Sequence, residues 1–322
     1  MSWDLVCPGC RMQTDERIDL RTLERRGELL VCECGRSYPV IDGVPLVLVH
    51  PEVYLRSEMT MIIERDLDIA VAGLLVAGGP DDAAYPRLLD HLSFYMDAHW
   101  GDRAEPVEVC ALRPIIERLT RLQPVALAVE LGCSVGRILG ELAVNAERVV
   151  GLDLHFGSLR RARHVLAGDP VAYGRRITGR HYRQAIARAG DRAVPGARLK
   201  LVCGDALQPP LVPGAYDRVV ALNVLDAVRQ PRQLLTIVDG LCAPGGEIIL
   251  SSPYAWQSSI MEEHERIGGS DPATDLVGIL RDGTDLGARY RIDEEADVPW
   301  TVRRDARSSI SYLTHYVRAR KL

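Results

Sequence analysis

The chain has 322 residues, of which 47% are hydrophobic and 26% charged, and its formal net charge at pH 7 is −5. This length and apolar content can bury a full α/β core together with a small accessory unit, and they argue against a disordered chain. The negative charge gives no global field that attracts nucleic acid, no apolar stretch is long enough to cross a bilayer, and the N-terminus lacks a signal-peptide pattern. We therefore expect a cytoplasmic protein that does not bind a membrane.

The first feature along the chain is a group of four cysteines, arranged as the two close pairs Cys7-Pro-Gly-Cys10 and Cys32-Glu-Cys34. Two thiolates on one tight turn arrive already oriented for a shared metal ion, and four can close one tetrahedron around Zn²⁺. Redox chemistry, an iron–sulfur cluster and four unrelated thiols are the alternatives. We predict a structural zinc ribbon over residues 1–50, with four metal ligands: Cys7, Cys10, Cys32 and Cys34.

The second pair is followed by the run GRSYPVIDGVPLVLV, from Gly35 to Val49. This run resembles the small zinc-ribbon proteins that activate several methyltransferases in archaea and eukaryotes, in which a similar segment completes the sheet. In that family the ribbon stabilises a separate methyltransferase. Where a methyltransferase-like domain follows on the same chain, the resemblance implies an intramolecular brace.

Residues 51–122 form the second predicted segment, an arginine- and aspartate-bearing helical linker that we expect to cap the substrate side. The third segment, residues 123–322, alternates strand-length apolar runs with helical patterns. The strand candidates are ALAVEL (126–131), RVVGLD (148–153), RLKLVCGD (198–205), YDRVVALN (216–223) and GEIILSS (246–252). Nearly continuous apolar strands indicate a parallel sheet covered on both faces. The alternation predicts an α/β fold with a doubly wound, mostly parallel sheet.

Polar residues follow four of these predicted strands. The first strand runs into ELGCSVGR, residues 130–137, where glycine allows a sharp turn and a close backbone approach to a ligand. An acid at the end of the second strand can accept two ribose hydroxyls, and one at the end of the third can hold an adenine amino group. Each residue taken singly could be only a cap or a turn residue. The predicted cofactor-binding residues are Glu130, Gly132, Cys133, Gly136, Asp153, Asp205, Ala206 and Asn223.

From Val125 to about Ser252 this ordered set resembles the class I S-adenosylmethionine-dependent methyltransferases. The resemblance implies a Rossmann-like fold and S-adenosyl-L-methionine as the cofactor. The glycine spacing also disfavours a nicotinamide cofactor, because it lacks the third glycine of the nicotinamide fingerprint.

A closer resemblance extends from about Leu92 to Leu322. Its residues are SFYMDAHWGD (93–102), ALNVLDAVRQP (221–231), SPYAWQ (252–257) and DVPWTVRR (297–304). They resemble the methyltransferase domain of ovothiol synthases and the mercaptohistidine ring-nitrogen methyltransferases. The resemblance implies methyl transfer to a nitrogen, with sulfur second, of a small polar, amino-acid-like metabolite such as a histidine derivative. The zinc ribbon and the arginine-rich segment 168–197 depart from that family and put the exact substrate in doubt.

The candidate catalytic residues lie in two aromatic clusters and at the end of the fourth strand. They are Tyr95, His99, Asn223, Tyr254 and Trp256. Methyl transfer needs mainly alignment and exclusion of water, so a strong base is optional. The alternative is that the aromatic residues are packing residues and that His99 is a packed imidazole. Arginines of the tail are candidates for neutralising a substrate carboxylate: Arg303, Arg304 and Arg307.

Two other functions remain open. An RNA, protein or peptide methyltransferase could use the ribbon for recognition of its substrate or partner, since several arginines cluster in the head: Arg11, Arg17, Arg21, Arg25, Arg26 and Arg36. A non-catalytic scaffold could keep the fold alone, although the intact glycine loop and strand-end acids argue against it. We expect a small-molecule substrate, disfavour nucleic acid, and leave the oligomeric state open.

Overall fold

The computed structural model describes residues 4–11, 20–78 and 84–322. Within these ranges, no helix is long and apolar enough to span a membrane. Arg17, one of the head arginines named above, lies outside the described residues.

The described residues contain ten α-helices and fourteen β-strands. The helices are α1 (Pro8–Arg11), α2 (Pro51–Ser57), α3 (Met59–Ile63), α4 (Ile69–Gly78), α5 (Ala84–Trp100), α6 (Arg113–Leu119), α7 (Arg137–Leu142), α8 (Phe156–Ala167), α9 (Pro231–Leu241) and α10 (Pro272–Asp282). The strands are β1 (Glu24–Arg26), β2 (Leu29–Val31), β3 (Ser37–Ile41), β4 (Val44–Pro45), β5 (Ala104–Glu105), β6 (Val125–Leu131), β7 (Ala146–Asp153), β8 (Val171–Thr178), β9 (His181–Ala187), β10 (Leu199–Cys203), β11 (Tyr216–Leu222), β12 (Cys242–Ser252), β13 (Tyr290–Arg303) and β14 (Ser309–Lys321).

The main sheet confirms the predicted fold class. Its seven strands lie in the order β10-β7-β6-β11-β12-β14-β13. All neighbours pair in parallel except β14, which runs antiparallel to both β12 and β13. From β6 the chain builds outward through β7 to β10, and it then returns to the other side of β6 with β11 and β12. The strand order therefore reverses between β6 and β11, where sheets of this kind bind ligands outside the carboxyl ends of their strands.

Both faces of this sheet are covered, which explains the nearly continuous apolar strands. In β6, residues 127–131 are all buried. Ala128 faces a core shared with α7 and α8, whereas Leu127 and Val129 face a second core shared with α9 and α10. Because neighbouring residues of a strand point to opposite faces, two helical layers require apolar residues at successive positions.

The arginine-rich segment between α8 and β10 folds as the antiparallel hairpin of β8 and β9, with β5 beside it. Arg175 of β8 is fully buried, and its Nε donates to Oδ1 of Asp97 on α5 at 2.7 Å. Arg303 of β13 donates to the other carboxylate oxygen of Asp97 at 3.3 Å. Pairing offsets the cost of burying these charges. The network therefore fixes the hairpin, α5 and β13 to one another at Asp97.

The cysteine-bearing head forms a four-stranded antiparallel sheet in the order β1-β2-β3-β4. After β4 the chain reaches the edge of the main sheet, where Leu46 bridges to Cys203 in parallel and Val47 N donates to Cys203 O at 2.8 Å. The start of the head returns to the same region, since Val6 N donates to Pro210 O at 3.0 Å. The head therefore extends the main sheet beyond β10.

Candidate active site

The glycine loop connects β6 to α7 at the point where the strand order reverses. Gly132 and Gly136 have φ values of 75° and 80°, in the left-handed region that favours glycine. A Cβ on Gly132 would lie 2.4 Å from Cγ2 of Val224, and one on Gly136 would lie 2.8 Å from Cδ1 of Leu166. Gly132 thus keeps the cavity side of the loop open, while Gly136 lets α7 pack closely against α8.

Asp153 at the end of β7 holds the loop in place. Its two carboxylate oxygens accept hydrogen bonds from Ser134 N and His155 N, both at 2.7 Å. Gly132 N and Cys133 N donate instead to the carbonyl oxygen of Leu152. Burial raises the pKa of Asp153, although the two backbone donors act in the opposite direction. Each oxygen of Asp153 keeps lone pairs that a ligand hydroxyl can use.

Glu130, the second-last residue of β6, is buried, with 2% of its surface exposed. Its Oε2 atom has no hydrogen-bond partner among the described residues. Burial, and then the negative charge of Asp153, raise the pKa of Glu130 well above its ordinary value. A buried carboxylate oxygen without a partner is costly, and from a cavity wall it can pair with a cationic ligand.

Two further strand ends contribute polar side chains. Asp205, two residues after β10, accepts a hydrogen bond from Leu207 N at 2.8 Å. Asn223 directly follows β11 with a φ of 55°, and its Oδ1 accepts from Ser251 Oγ at 2.9 Å. The strained backbone of Asn223 is thus held by its neighbour on β12.

These strand ends open into a cavity of about 520 Å³. Eight of the residues predicted from sequence line it: Tyr95, His99, Glu130, Gly132, Asp153, Asp205, Ala206 and Asn223. Four others do not line it: Cys133, Gly136, Tyr254 and Trp256. Cys133 is fully buried beside Gly151.

One helical face contributes the aromatic lining. His91, Tyr95 and His99 are spaced by four residues on α5, and this spacing places them on one face of the helix. His91 stacks on His155, with 4.2 Å between the ring centroids. Burial, and then the positive charge of Arg137, lower the pKa of His99 to about 3. His99 is therefore a neutral imidazole at pH 7.

The second predicted aromatic cluster forms a separate contact. Tyr254 Oη lies 2.8 Å from Nδ1 of His315, and Nε2 of His315 lies 3.3 Å from a carboxylate oxygen of Glu295. Trp256 packs beside Tyr254 at a ring distance of 5.6 Å. Trp100, at the end of α5, is fully buried and donates to Val135 O at 2.8 Å, so it supports the glycine loop from within the core.

The tail arginines do not reach the cavity. Arg303 forms ion pairs with Asp97 and Glu108, and the carboxylate of Glu108 lies 3.1 Å from Nε of Arg303. Arg304 and Arg307 are also absent from the cavity lining. The arginine that does line the cavity is Arg229, which is exposed in the loop after β11. Arg229 lies in the ALNVLDAVRQP run (221–231), but no role was assigned to its side chain from the sequence.

Trp300 of β13 is another lining residue that the sequence analysis did not select. The DVPW run that contains it was recognised, but its indole was not assigned to the site. The signal that finds it is structural: its buried Nε1 atom has no hydrogen-bond partner in the part of the chain that the structure describes.

The four head cysteines converge as predicted. Their sulfur atoms all lie within 4.8 Å of one another. Cys7 and Cys34 are separated by 3.8 Å, and so are Cys10 and Cys32. A tetrahedral zinc ion with Zn–S bonds of about 2.3 Å requires S···S edges of about 3.8 Å. The sulfur positions therefore fit such an ion.

Comparison with known families decides the class of enzyme. Residues 129–250 match the family model described as a methyltransferase domain, and this range contains the glycine loop and all four strand ends described above. This match, together with the doubly wound sheet, shows a methyltransferase domain, and the chain is therefore a methyltransferase enzyme. A comparison with curated proteins gives no match.

Several solved structures are similar to this methyltransferase at low identity. The N-methyltransferase NodS from Bradyrhizobium japonicum WM9, in complex with S-adenosyl-L-homocysteine, is 16% identical with a TM-score of 0.43, covering 72% of this chain and 98% of that chain. A complex between the Haloferax volcanii Trm112 methyltransferase activator and a methyltransferase gives 15% identity and a TM-score of 0.44, covering 72% and 96%. Phosphoethanolamine N-methyltransferase 2 from Haemonchus contortus, in complex with S-adenosyl-L-methionine, is 16% identical with a TM-score of 0.31. This match covers 44% of this chain and 27% of that chain.

Proposed function

We propose that the cavity at the strand ends holds S-adenosylmethionine, and that the enzyme methylates a nitrogen, with sulfur second, of a small polar metabolite that resembles an amino acid. The observation that carries the proposal is Glu130, whose unpartnered carboxylate oxygen lies in the cavity wall beside the glycine loop. The methionine part of the cofactor has an ammonium group, which is the partner that a buried carboxylate requires.

The other strand ends supply the remaining contacts in this proposal. Asp153 accepts the ribose hydroxyls with the lone pairs that its backbone donors leave free. Asp205 receives the adenine amino group, and Ala206 packs beside the ring. Gly132 leaves room for the methionine part, because a side chain at this position would already collide with Val224.

When bound, the cofactor supplies a methyl group activated by a positively charged sulfur. An acceptor nitrogen or sulfur would use its lone pair to take this methyl group, and a nitrogen acceptor would release its N–H proton to water. The protein has to align the acceptor and exclude water. His99 is neutral at pH 7 because of its lowered pKa, so one ring nitrogen keeps its hydrogen and the other can accept a hydrogen bond. An imidazole with so low a pKa is a weak base, so its role here is orientation.

An amino-acid-like acceptor also needs a partner for its carboxylate. Arg303 cannot supply it while it is paired with Asp97 and Glu108. Arg229 lines the cavity and forms no ion pair with any described residue, and we assign the carboxylate to its guanidinium.

A labelling screen tests the proposed function. The enzyme is incubated with isotopically labelled cofactor and, separately, with histidine, thiohistidines, other amino acids and short RNA. We expect label on a histidine-like acceptor. Labelled RNA with inert small molecules would contradict the proposal and favour recognition through the ribbon. The contacts of the head support the first result, since Arg11 donates to Pro209 O and Arg26 pairs with Glu24.

We also propose that the head binds one structural Zn²⁺ and acts as an intramolecular brace. Its contacts fall at both ends of residues 203–210: Val47 bonds to Cys203, while Val6 bonds to Pro210. Between these contacts lie Asp205 and Ala206, two of the residues assigned to the adenine. In this proposal residues 1–50 hold that segment, residues 51–122 provide α5 as the substrate-side cap, and residues 123–322 form the methyltransferase domain.

A further inference from the structure

A second set of cavity residues comes from α5 and β13 and lies apart from the strand ends. It consists of His91, Tyr95, His99 and Trp300. Trp300 packs against a small buried cluster that contains Ala98 of α5, the residue directly before His99. We call these four residues the acceptor wall. The cofactor contacts proposed above use none of them, which leaves them free for the methyl acceptor.

Two atoms of the acceptor wall lack hydrogen-bond partners. Nδ1 of His99 and Nε1 of Trp300 are both buried, and neither contacts a donor or acceptor in residues 4–11, 20–78 or 84–322. His99 as a whole is only 7% exposed. An indole N–H can only donate, whereas a neutral imidazole offers one acceptor nitrogen. Because buried polar atoms are costly without partners, this pair indicates a ligand that supplies both an acceptor and a donor.

The acceptor wall is also uncharged at neutral pH. Burial lowers the pKa of His91, and it lowers the pKa of the adjoining His155 to about 3. Burial likewise raises the pKa of Tyr95. The charged lining residues lie elsewhere, at the strand ends and at the exposed Arg229. A charged reacting group would therefore have no counter-ion on this wall, and its desolvation would be uncompensated.

We infer that His99 and Trp300 together recognise the reacting part of the acceptor as a neutral nitrogen heterocycle. An N–H group of this ring donates a hydrogen bond to His99 Nδ1. An atom next to that N–H group accepts a hydrogen bond from the indole N–H of Trp300. This inference rests on the proposed function, because it places the acceptor in the same cavity as the cofactor. A hydrogen bond at one ring nitrogen fixes the tautomer of the heterocycle and hence which nitrogen presents a lone pair. Trp300 is thus a specificity-determining residue, and aliphatic ammonium groups are excluded as acceptors.

Binding of small probes tests the inference without knowledge of the natural acceptor. The protein is first titrated with S-adenosylhomocysteine, and the loaded protein is then titrated at about pH 7 with 2-pyridone, N-methyl-2-pyridone and n-butylamine. 2-Pyridone presents an N–H beside a carbonyl, its N-methyl derivative lacks the N–H, and the amine is a cation. We expect 2-pyridone to bind about three- to tenfold more tightly than N-methyl-2-pyridone, since one neutral hydrogen bond is lost, and n-butylamine to bind most weakly.

Two variants separate the roles of the two side chains. Trp300→Phe keeps an aromatic ring but removes the donor, and it should weaken 2-pyridone binding about three- to tenfold. His99→Phe should remove the preference for 2-pyridone over its N-methyl derivative. Tyr312→Phe, which removes a hydroxyl from the ring that packs on Trp300, is the matched control. It should change neither the affinity for 2-pyridone nor the preference for 2-pyridone over its N-methyl derivative. All three variants should bind S-adenosylhomocysteine as the wild type does.

The outcomes distinguish the inference from the function on which it rests. Failure of the wild type to bind S-adenosylhomocysteine overturns the proposed function. The inference alone is overturned if the wild type binds S-adenosylhomocysteine normally but shows one of three other results. These are equal affinity for the two pyridones, tighter binding of n-butylamine than of 2-pyridone, or unchanged binding of 2-pyridone in Trp300→Phe.

Discussion

The strand-end side of the cavity and the acceptor wall differ in how their residues are distributed along the chain. Glu130, Asp153, Asp205 and Asn223 each lie at or just after the end of a strand, and the parallel order of the sheet brings these ends together. The acceptor wall joins α5 to Trp300 of β13, about 200 residues later. The first side follows from a topological rule, whereas the second depends on packing and on the Asp97 network. We therefore expect variants of the two sides to change different measurements.

The largest effect is expected at the glycine loop. Gly132→Arg places a side chain where even a Cβ would lie 2.4 Å from Val224, and it should weaken S-adenosylhomocysteine binding by at least about 100-fold. Calorimetric titration measures this loss. Gly278→Arg, on α10 where a Cβ meets no atom within 4 Å, is the control and should bind normally. Undiminished affinity in Gly132→Arg, with an intact fold, would contradict the assignment of the strand-end side.

The zinc ribbon should affect stability more than chemistry. Cys32→Ser removes one of four sulfur ligands, so metal content should fall and the melting temperature should drop by about 10 °C. Cofactor affinity should weaken as well, because the head holds both ends of residues 203–210. Elemental analysis and thermal melting measure the two effects.

A conservative control for this substitution is Cys110→Ser. Cys110 Sγ donates to backbone carbonyls of α5, a contact that serine can keep, and this variant should retain its zinc. Absence of zinc from the wild-type protein, or an unchanged melting temperature in Cys32→Ser, would refute the proposed ribbon.

Glu130 should make cofactor binding dependent on pH. Its raised pKa means that the empty site holds a proton above the ordinary glutamate value of about 4.3, and binding of an ammonium group favours the ionised form. Binding therefore releases a proton, and affinity for S-adenosylhomocysteine should rise with pH until Glu130 is ionised in the free protein. The same raised pKa lowers the stability of the free protein as pH rises through this range.

Calorimetry in buffers of different ionisation enthalpy counts the released proton. Glu130→Gln keeps the shape of the side chain but cannot titrate, so affinity should be lower and the proton release should disappear. A wild-type affinity that is flat across this pH range would show that Glu130 does not meet the ammonium group.

The smallest effect is expected at Arg229. Arg229→Gln should raise the KM of an acceptor that carries a carboxylate about three- to tenfold, because an exposed charge-assisted contact contributes modestly, and should leave cofactor affinity unchanged. Comparing a carboxylate-bearing acceptor with its amide measures the effect. If the variant affects both acceptors equally, Arg229 does not bind the carboxylate.

The sequence predicted the main sheet and the convergence of the four head cysteines, because each depends on local patterns. Successive apolar runs of strand length and a glycine loop after the first strand specify the doubly wound sheet, and the spacing of Cys7 and Cys10 matches that of a zinc knuckle. The strand-end acids could be named because a sheet rule states where such ends meet. These predictions needed no knowledge of long-range contacts.

The acceptor wall could be predicted only in part. Tyr95 and His99 were chosen from a motif, but Tyr254 and Trp256 came from an equally distinctive motif and lie outside the cavity lining. Arg303 was assigned to the substrate because the sequence does not reveal Asp97 and Glu108 as its partners. Whether a predicted residue lines the cavity depends on contacts between segments that are distant in the sequence. The periodicity of a single segment does not reveal such contacts.

The most direct test of the central claim is a crystal structure of the protein in complex with S-adenosylhomocysteine. We expect the ligand at the carboxyl ends of β6 and β7, with its ammonium group hydrogen-bonded to Glu130 and its ribose hydroxyls to Asp153. Its sulfur should face His99 and Trp300 across the space left for the acceptor. A ligand bound elsewhere, or bound in the cavity with its sulfur turned away from α5 and β13, would contradict the account.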